Sequence, residues 1–165
     1  MSNSHILSPF KSSSHTHARC LESALSKAES TCAERGLRLT KLRRRVLELV
    51  WGSHEPVKAY DILDSLRDNS RRAAPPTVYR ALDFLRQEGF VHKIESLNAY
   101  VGCGKPGHSN AGQFLICFGC STVAELDDVD IVDMIASKAR QLGFVVRDHT
   151  IEVEGLCAEC QEKGL

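Results

Sequence analysis

Two Cys-x-x-Cys pairs constrain this 165-residue chain more than any other feature of its sequence. Cys117 and Cys120 form the first pair, and Cys157 and Cys160 form the second. Each pair offers two thiolates from one tight turn, and two pairs complete the tetrahedral sulfur set that structural zinc prefers. The 36 residues between the pairs leave room for a β-α-β segment. We therefore predict a structural zinc site within a small α/β unit.

The chain contains seven cysteines. Because this number is odd, the cysteines cannot all be paired in disulfides within one chain. In a reducing cytosol, closely spaced cysteines are more often metal ligands than disulfides. The alternative is a thiol–disulfide enzyme, whose reactive pair begins at a helix N-terminus. Cys117 is instead predicted to end a strand, which favours zinc. A bound zinc also supplies about 10–16 kcal/mol toward folding, which a unit of this size needs.

The net charge of zero conceals an asymmetry between the two halves. Residues 1–96 carry 16 basic and 11 acidic side chains, a net charge of +5, whereas residues 97–165 carry 5 and 10, a net charge of −5. A basic half indicates an anionic partner such as nucleic acid. We find no apolar run long enough to span a bilayer and no signal-peptide pattern, so we predict a cytoplasmic protein.

The first half has the pattern of a winged helix-turn-helix. Residues 1–17 are predicted to form a disordered tail, and residues 18–101 a DNA-binding domain. Apolar residues at helical spacing and helix-end signals predict helices over residues 18–35, 40–51, 58–68 and 77–88. Two strands, 90–94 and 98–101, then form a hairpin that we interpret as the wing. The fourth helix occupies the recognition position, whose N-terminal residues enter a major groove.

The second half is predicted to be a small α/β unit. Residues 102–112 are glycine-rich and interpreted as a hinge loop, and residues 113–165 as a domain for dimerisation and metal binding. Within it we expect two strands over 113–118 and 121–126, a helix from Asp127 to Gly143, and a strand over 144–153. The predicted fold class is therefore α+β.

A second group of possible ligands comprises His92, Cys103, His108 and Glu125, which fall on the wing, the hinge and the start of the second half. Mixed nitrogen, sulfur and oxygen ligands suit Zn(II) better than Fe(II). Ligands from both halves would make the metal a clamp across the hinge. The spacing alone leaves other roles open, because the wing histidine can contact phosphate, Cys103 can be a buried small residue and Glu125 can be solvated.

Several motifs resemble the ferric uptake regulator family over about residues 18–162. They are Arg38-Leu39-Thr40 with Arg43, Ala59-Tyr60-Asp61-Ile62-Leu63, Pro76-Thr77-Val78-Tyr79-Arg80-Ala81-Leu82, Phe90-Val91-His92-Lys93 and the two cysteine pairs. Within that family the chain is most similar to the zinc uptake regulator branch. The cluster of histidines typical of the iron-sensing branch is missing.

The resemblance implies a homodimeric, metal-dependent repressor with about two zinc ions per chain. Its winged half would bind operator DNA and its second half would dimerise. The four cysteines would hold the structural zinc, and the regulatory zinc would be bound by His92, Cys103, His108 and Glu125. The loop between Gly104 and Gly112 contains a single histidine at an unusual distance from Cys117, which departs from the family pattern.

For DNA binding, the resemblance points to Tyr79 and Arg80 on the recognition helix. An aromatic edge can contact a thymine methyl group, and an arginine can bind a guanine edge or a phosphate. Thr77 can donate to a phosphate or cap the helix. Arg43 is a candidate for the DNA backbone, although a basic run can also be the solvated face of a helix.

We therefore predict a zinc-responsive repressor that binds operators of zinc-uptake genes when it carries regulatory zinc. The alternatives are an iron, manganese or peroxide sensor on the same scaffold and, from a different class, a thiol-redox enzyme. The sequence contains no catalytic Ser/His/Asp or paired-carboxylate pattern, so we predict that the protein is not an enzyme.

Overall fold

The computed structural model describes residues 5–10, 17–52, 55–67, 74–105 and 112–164. The helices are α1 (His17–Glu34), α2 (Lys41–Val50), α3 (Ala59–Arg67), α4 (Pro75–Gln87), α5 (Val129–Gln141) and α6 (Ala158–Glu162). The strands are β1 (Ile6–Ser8), β2 (Val57–Lys58), β3 (Val91–Ile94), β4 (Ala99–Gly102), β5 (Gly112–Cys117), β6 (Val123–Leu126) and β7 (Thr150–Gly155). The predicted α+β class is confirmed.

Helices α1 to α4 enclose the main hydrophobic core. Each helix contributes apolar residues at three- and four-residue spacing, which place them on one face. The fully buried members include Val46, Leu47, Ile62, Val78, Leu82 and Leu85. Thr40 caps α2 as predicted, because its hydroxyl accepts a hydrogen bond from the backbone N–H of Arg43 at 3.3 Å.

The wing is an antiparallel sheet in the order β2-β4-β3. The predicted hairpin corresponds to β3 and β4, and the short strand β2 adds to it before α3. Gly102 ends β4 against the indole of Trp51, and a β-carbon at this position would lie 2.2 Å from the ring. The sheet can therefore pack onto α2 only because this residue has no side chain.

The second half contains a four-stranded sheet in the order β1-β6-β5-β7. Strand β5 pairs with β6 antiparallel and with β7 parallel, so α5 is the crossover between β6 and β7. The β-α-β segment predicted between the cysteine pairs is thus β6-α5-β7. None of the residues of α5 is buried.

The structure differs from the expectations at both ends of this sheet. The last strand begins at Thr150 instead of Phe144, because Thr150 pairs with Gly112, the first described residue of β5. Residues 6–8 form β1 along β6, although residues 1–17 were predicted to be disordered. The polar composition of this segment masked its apolar residues, Ile6, Leu7 and Phe10.

The length and hydropathy of the helices bear on membrane insertion. Among the helices that the structure describes, none combines the length and the apolar character required to cross a bilayer.

Candidate metal centres and DNA-binding face

The first candidate centre is formed by the two cysteine pairs, Cys117 with Cys120 and Cys157 with Cys160, which we call the four-cysteine cluster. Their sulfur atoms all lie within 4.8 Å of one another. Cys117 ends β5, Cys120 follows in the next turn, and Cys157 and Cys160 lie at the start of α6. Four sulfur ligands at this spacing fit tetrahedral zinc. The second pair does begin at a helix N-terminus, as a thiol-redox pair would, but all four thiols converge and three of them are buried, which favours a metal site.

Local backbone geometry explains how the two turns approach so closely. The backbone N–H of Cys157 donates to the Cys117 sulfur at 3.3 Å. A β-carbon at Gly119 would lie 3.0 Å from the Cys160 sulfur, so glycine permits the contact between the turns. Phe10 and Leu156 pack against the cluster from outside.

The thiols of the four-cysteine cluster have divergent pKa values. Burial alone would raise the pKa of Cys117, but hydrogen bonds from the backbone N–H groups of Cys157, Cys120 and Gly119 outweigh it and lower the pKa to about 6. Burial and the neighbouring thiols raise the pKa of Cys160 to about 12. The site is therefore prepared to hold negative charge at one sulfur, and a metal would displace protons from others.

The second candidate centre joins the two halves of the chain, and we call it the inter-half cluster. His92 lies on β3 of the wing, Cys103 directly follows β4, and Glu125 lies on β6 of the second half. His92 Nε2 is 2.9 Å from Glu125 Oε1, and the Cys103 thiol is 3.8 Å from the same oxygen. The backbone N–H of Gly104 donates to Glu125 Oε2 at 3.0 Å.

Burial makes the inter-half cluster unusual. The exposed fractions of His92, Cys103 and Glu125 are 5%, 1% and 4%. Burial and the nearby Glu125 carboxylate raise the pKa of the Cys103 thiol well above its usual range. Such ionisable groups are rarely buried together unless they bind one another or a metal. One nitrogen, one sulfur and one oxygen ligand within 4.8 Å fit the protein part of a zinc site.

A cavity of about 250 Å³ lies beside Cys103 of the inter-half cluster. It is lined by residues of the N-terminal segment, of α1 and of the loop after β4, among them Ser8, Lys27, Trp51, Cys103 and Gly104. The fourth predicted ligand, His108, lies outside the described residues.

The recognition helix α4 presents three of the predicted DNA contacts together. Thr77, Tyr79 and Arg80 are all exposed, whereas Val78 and Leu82 are buried in the core. Ala74 is the N-cap of this helix and Thr77 lies inside its first turn, so the alternative role of Thr77 as a cap was wrong.

Arg43 lies on α2 and makes contacts within the protein. Its guanidinium carbon stacks 3.5 Å from the centre of the Phe84 ring, and Nη1 donates to the Arg38 carbonyl at 2.7 Å. The stacking joins α2 to α4. The next two arginines of the run form ion pairs with Glu29 and Glu48.

Sequence reasoning overlooked Tyr60 as a surface residue. Its side chain is 62% exposed near the start of α3. The signal was present, since this aromatic residue falls outside the apolar stripe formed by Ala59, Ile62, Leu63 and Leu66. It adds a second exposed tyrosine to the basic half.

A winged helix connected to a metal-binding α/β unit through a buried ligand cluster defines a class of metal-dependent DNA-binding regulators. A model of the ferric uptake regulator family matches residues 34–154 of this chain. The zinc uptake regulation protein of Escherichia coli K12 is 45% identical over 141 residues, which cover 84% of this chain and 81% of the relative. The chain belongs to the ferric uptake regulator family, which confirms the resemblance in its motifs.

Solved structures add information on conformation. The crystal structure of holo XcZur has 48% sequence identity to this chain and a TM-score of 0.78. The match covers 85% of this chain and 98% of the XcZur chain. The structure of a zinc uptake regulator complexed with zinc and DNA has 43% sequence identity and a TM-score of 0.79. The match covers 87% of this chain and 97% of that regulator's chain. Apo XcZur has 47% sequence identity but a TM-score of only 0.51. This match covers 86% of this chain and 97% of the XcZur chain. Since the two XcZur forms match this sequence almost equally, the difference in score reflects conformation, and this chain has the holo-like arrangement.

Proposed function

We propose that this protein is a zinc-responsive transcriptional repressor that binds operators of zinc-uptake genes as a homodimer. The observation that carries the proposal is the inter-half cluster, in which His92 of the wing and Cys103 of the hinge meet Glu125 of the second half within reach of one ion. Its cysteine favours zinc over iron and manganese, which prefer oxygen and imidazole ligands.

The position of the cluster explains how an ion can control DNA binding. A bound zinc ion would act as a Lewis acid toward the His92 imidazole, the Cys103 thiolate and the Glu125 carboxylate. Because these side chains belong to different halves, holding one ion restricts the angle between the halves. If this angle suits DNA, zinc raises the affinity for DNA by shifting the population toward the DNA-binding arrangement. Thermodynamic linkage then requires that bound DNA raise the affinity for zinc by the same factor. His108 is proposed as a further ligand.

Dimerisation through the second half is supported by its exposed apolar surface. Val129, Met134, Leu142, Phe144 and Val145 are 60–86% exposed, which is costly for a monomer. We propose that a second copy covers this surface. Two recognition helices, with Thr77, Tyr79 and Arg80 at the DNA and Arg43 near its backbone, would then read two half-sites of a pseudo-palindromic operator.

The proposed division of labour follows the two halves. Residues 18–101 bind DNA, residues 102–112 form the hinge, and residues 113–165 dimerise and hold the structural zinc through the four-cysteine cluster. The protein acts in the cytoplasm, since its thiolates require a reducing compartment. Its role is regulatory and not catalytic.

The decisive experiment compares the metal-stripped and zinc-loaded homodimers. Duplexes selected from a random library by the zinc-loaded protein are titrated with both forms at fixed salt. We expect two zinc ions per chain, one removable by a moderate chelator, and operator affinity that falls when this ion is removed. Equal affinity of both forms would overturn the proposal, and a stronger response to iron or manganese would assign the protein to another sensor type.

The DNA face is tested separately with Arg80→Ala. Operator binding should weaken by about 1–3 kcal/mol, and discrimination should relax at one base position. Arg140→Ala, an exposed arginine on α5, is the control and should leave affinity unchanged. An equal loss on every sequence would show that Arg80 contacts only phosphate.

A further inference from the structure

The wing contacts the second half at a second place besides the inter-half cluster. Glu152 lies on β7, and its carboxylate reaches the turn that joins β3 to β4. Oε1 accepts a hydrogen bond from the backbone N–H of Glu95 at 2.6 Å, and Oε2 accepts one from the backbone N–H of Ser96 at 3.0 Å. One carboxylate thus binds two successive amides at the tip of the wing.

The electrostatic surroundings keep this carboxylate ionised. Partial burial raises the pKa of Glu152, but the hydrogen bonds from Ser96 and Glu95 and the positive charge of Lys93 together lower it. Hydrogen bonds to an ionised acceptor are stronger than those between neutral groups. The carboxylate is therefore ionised at neutral pH, and the contact involves no metal ligand.

An apolar cluster lies at the same junction. It contains Ile94 and, packed against it, Leu97 and Val101 from the wing, with Phe114 and Ile116 from β5. Phe114 is the β5 neighbour of Glu152, and its ring contacts the ring of His92 at 5.2 Å between centroids. The Glu152 contact, the apolar cluster and the inter-half cluster thus all join the wing to the second half.

The comparison with XcZur indicates which arrangement this junction belongs to. The chain matches the holo form with a TM-score of 0.78 and the apo form with 0.51, at nearly equal identity. A hydrogen bond across the junction depends on the relative position of the two halves. The Glu152 contact is therefore present in a chain whose arrangement resembles the holo form more than the apo form, and we call this arrangement the closed state.

We propose that Glu152 is a positioning residue that holds the tip of the wing in the closed state and thereby strengthens binding of regulatory zinc without touching the ion. This inference rests on the proposed function. If the contact is lost, the closed state becomes less stable relative to open arrangements. Zinc binding must then offset the difference, so the apparent affinity for regulatory zinc falls by the same factor.

The test compares the full-length homodimer with its Glu152→Gln and Glu152→Ala variants. Regulatory zinc affinity is measured by competition with a chelator of known affinity. We expect about three- to tenfold weaker zinc binding in Glu152→Gln and at least as large a loss in Glu152→Ala. Operator affinity at saturating zinc should stay close to that of the parent protein, because excess ion restores the closed state.

The matched control is Glu154→Gln, which removes the same charge from an exposed residue of the same strand. This variant should bind regulatory zinc like the parent protein. Hydrogen exchange gives a second readout on the folded molecules. The amides of Glu95 and Ser96 should exchange faster in Glu152→Gln and Glu152→Ala but not in Glu154→Gln.

The outcomes separate this inference from the proposed function. If the parent protein binds no removable zinc, the proposed function fails. If it does, and the Glu152 variants bind that zinc as tightly and protect both amides equally, the role of Glu152 alone is overturned. An equal loss of zinc affinity in Glu154→Gln would also overturn it, because the effect would then be one of net charge.

Discussion

The two candidate metal centres differ in their ligands and in the parts of the fold that supply them. The four-cysteine cluster draws all its ligands from the second half and gathers the ends of β5 and β7. The inter-half cluster draws two ligands from the wing side of the junction and one from β6. A metal in the first centre would stabilise one unit, whereas a metal in the second would stabilise one arrangement of two units.

This difference shows that the effect of metal binding depends on where the ligands lie in the fold. The free energy of metal binding can stabilise either one unit or the arrangement of two units. The second half has little core of its own, since all residues of α5 are at least partly exposed. Binding energy at the four-cysteine cluster therefore goes into folding. The first half has an extensive core of helices and needs no such support. Binding energy at the inter-half cluster is thus available to select an angle.

The largest effect is expected from Cys157→Ser, which removes one ligand of the four-cysteine cluster. The variant should lose one zinc ion per chain and much of the roughly 10–16 kcal/mol associated with it, so the second half should unfold and the dimer dissociate. Zinc content and circular dichroism melting measure this. Cys20→Ser, outside both clusters, is the control. A stable dimer with two ions would remove the distinction between the centres.

The next effect is expected from Cys103→Ser in the inter-half cluster. Zinc-dependent operator binding should disappear, while the folded dimer and one tightly held zinc ion remain, because the helical core and the four-cysteine cluster are intact. Zinc content, melting temperature and operator titration together test this. A variant that still responds normally to zinc would exclude Cys103 as a regulatory ligand.

A smaller effect concerns pH. Because burial and Glu125 raise the pKa of Cys103, its thiol stays protonated at neutral pH and an incoming zinc ion must displace that proton. Affinity for regulatory zinc should therefore rise about tenfold from pH 7 to pH 8. In the four-cysteine cluster, Cys117 with its pKa of about 6 is already mostly ionised, whereas the raised pKa of Cys160 leaves it a proton to lose. Chelator competition at each pH is the measurement, and a flat profile would contradict a thiolate ligand.

The smallest effect is expected from Phe10→Ala. Phe10 is half-buried against the four-cysteine cluster, so its loss should cost about 1 kcal/mol of stability and leave regulatory zinc affinity unchanged. Ile6→Ala, on the exposed side of the same segment, is the control. Thermal melting reports the stability of the unit that holds the four-cysteine cluster, and chelator competition reports the zinc affinity of the inter-half cluster. Weaker regulatory zinc binding would show that the N-terminal segment serves both.

Some of this architecture could be predicted from sequence because its signals are local. Apolar spacing predicted the helices, and the paired cysteines predicted a sulfur cluster from chemistry alone. The inter-half cluster needed the family resemblance, since His92 and Glu125 lie 33 positions apart with no shared motif. The Glu152 contact could not be predicted, because it depends on backbone amides that any residue supplies. Strand β1 was missed because its pairing partner lies more than 110 residues away.

Strand β1 also limits how the protein can assemble. It lies at one end of the four-stranded sheet and has only three residues, whereas β7 at the other end has six. A short outer strand offers a poor template for a further chain. If copies associate along β7 about a two-fold axis, each end of the joined sheet is a β1 strand, and growth stops at two subunits. In such a dimer, the three residues of β1 would leave little strand edge on which a third copy could pair.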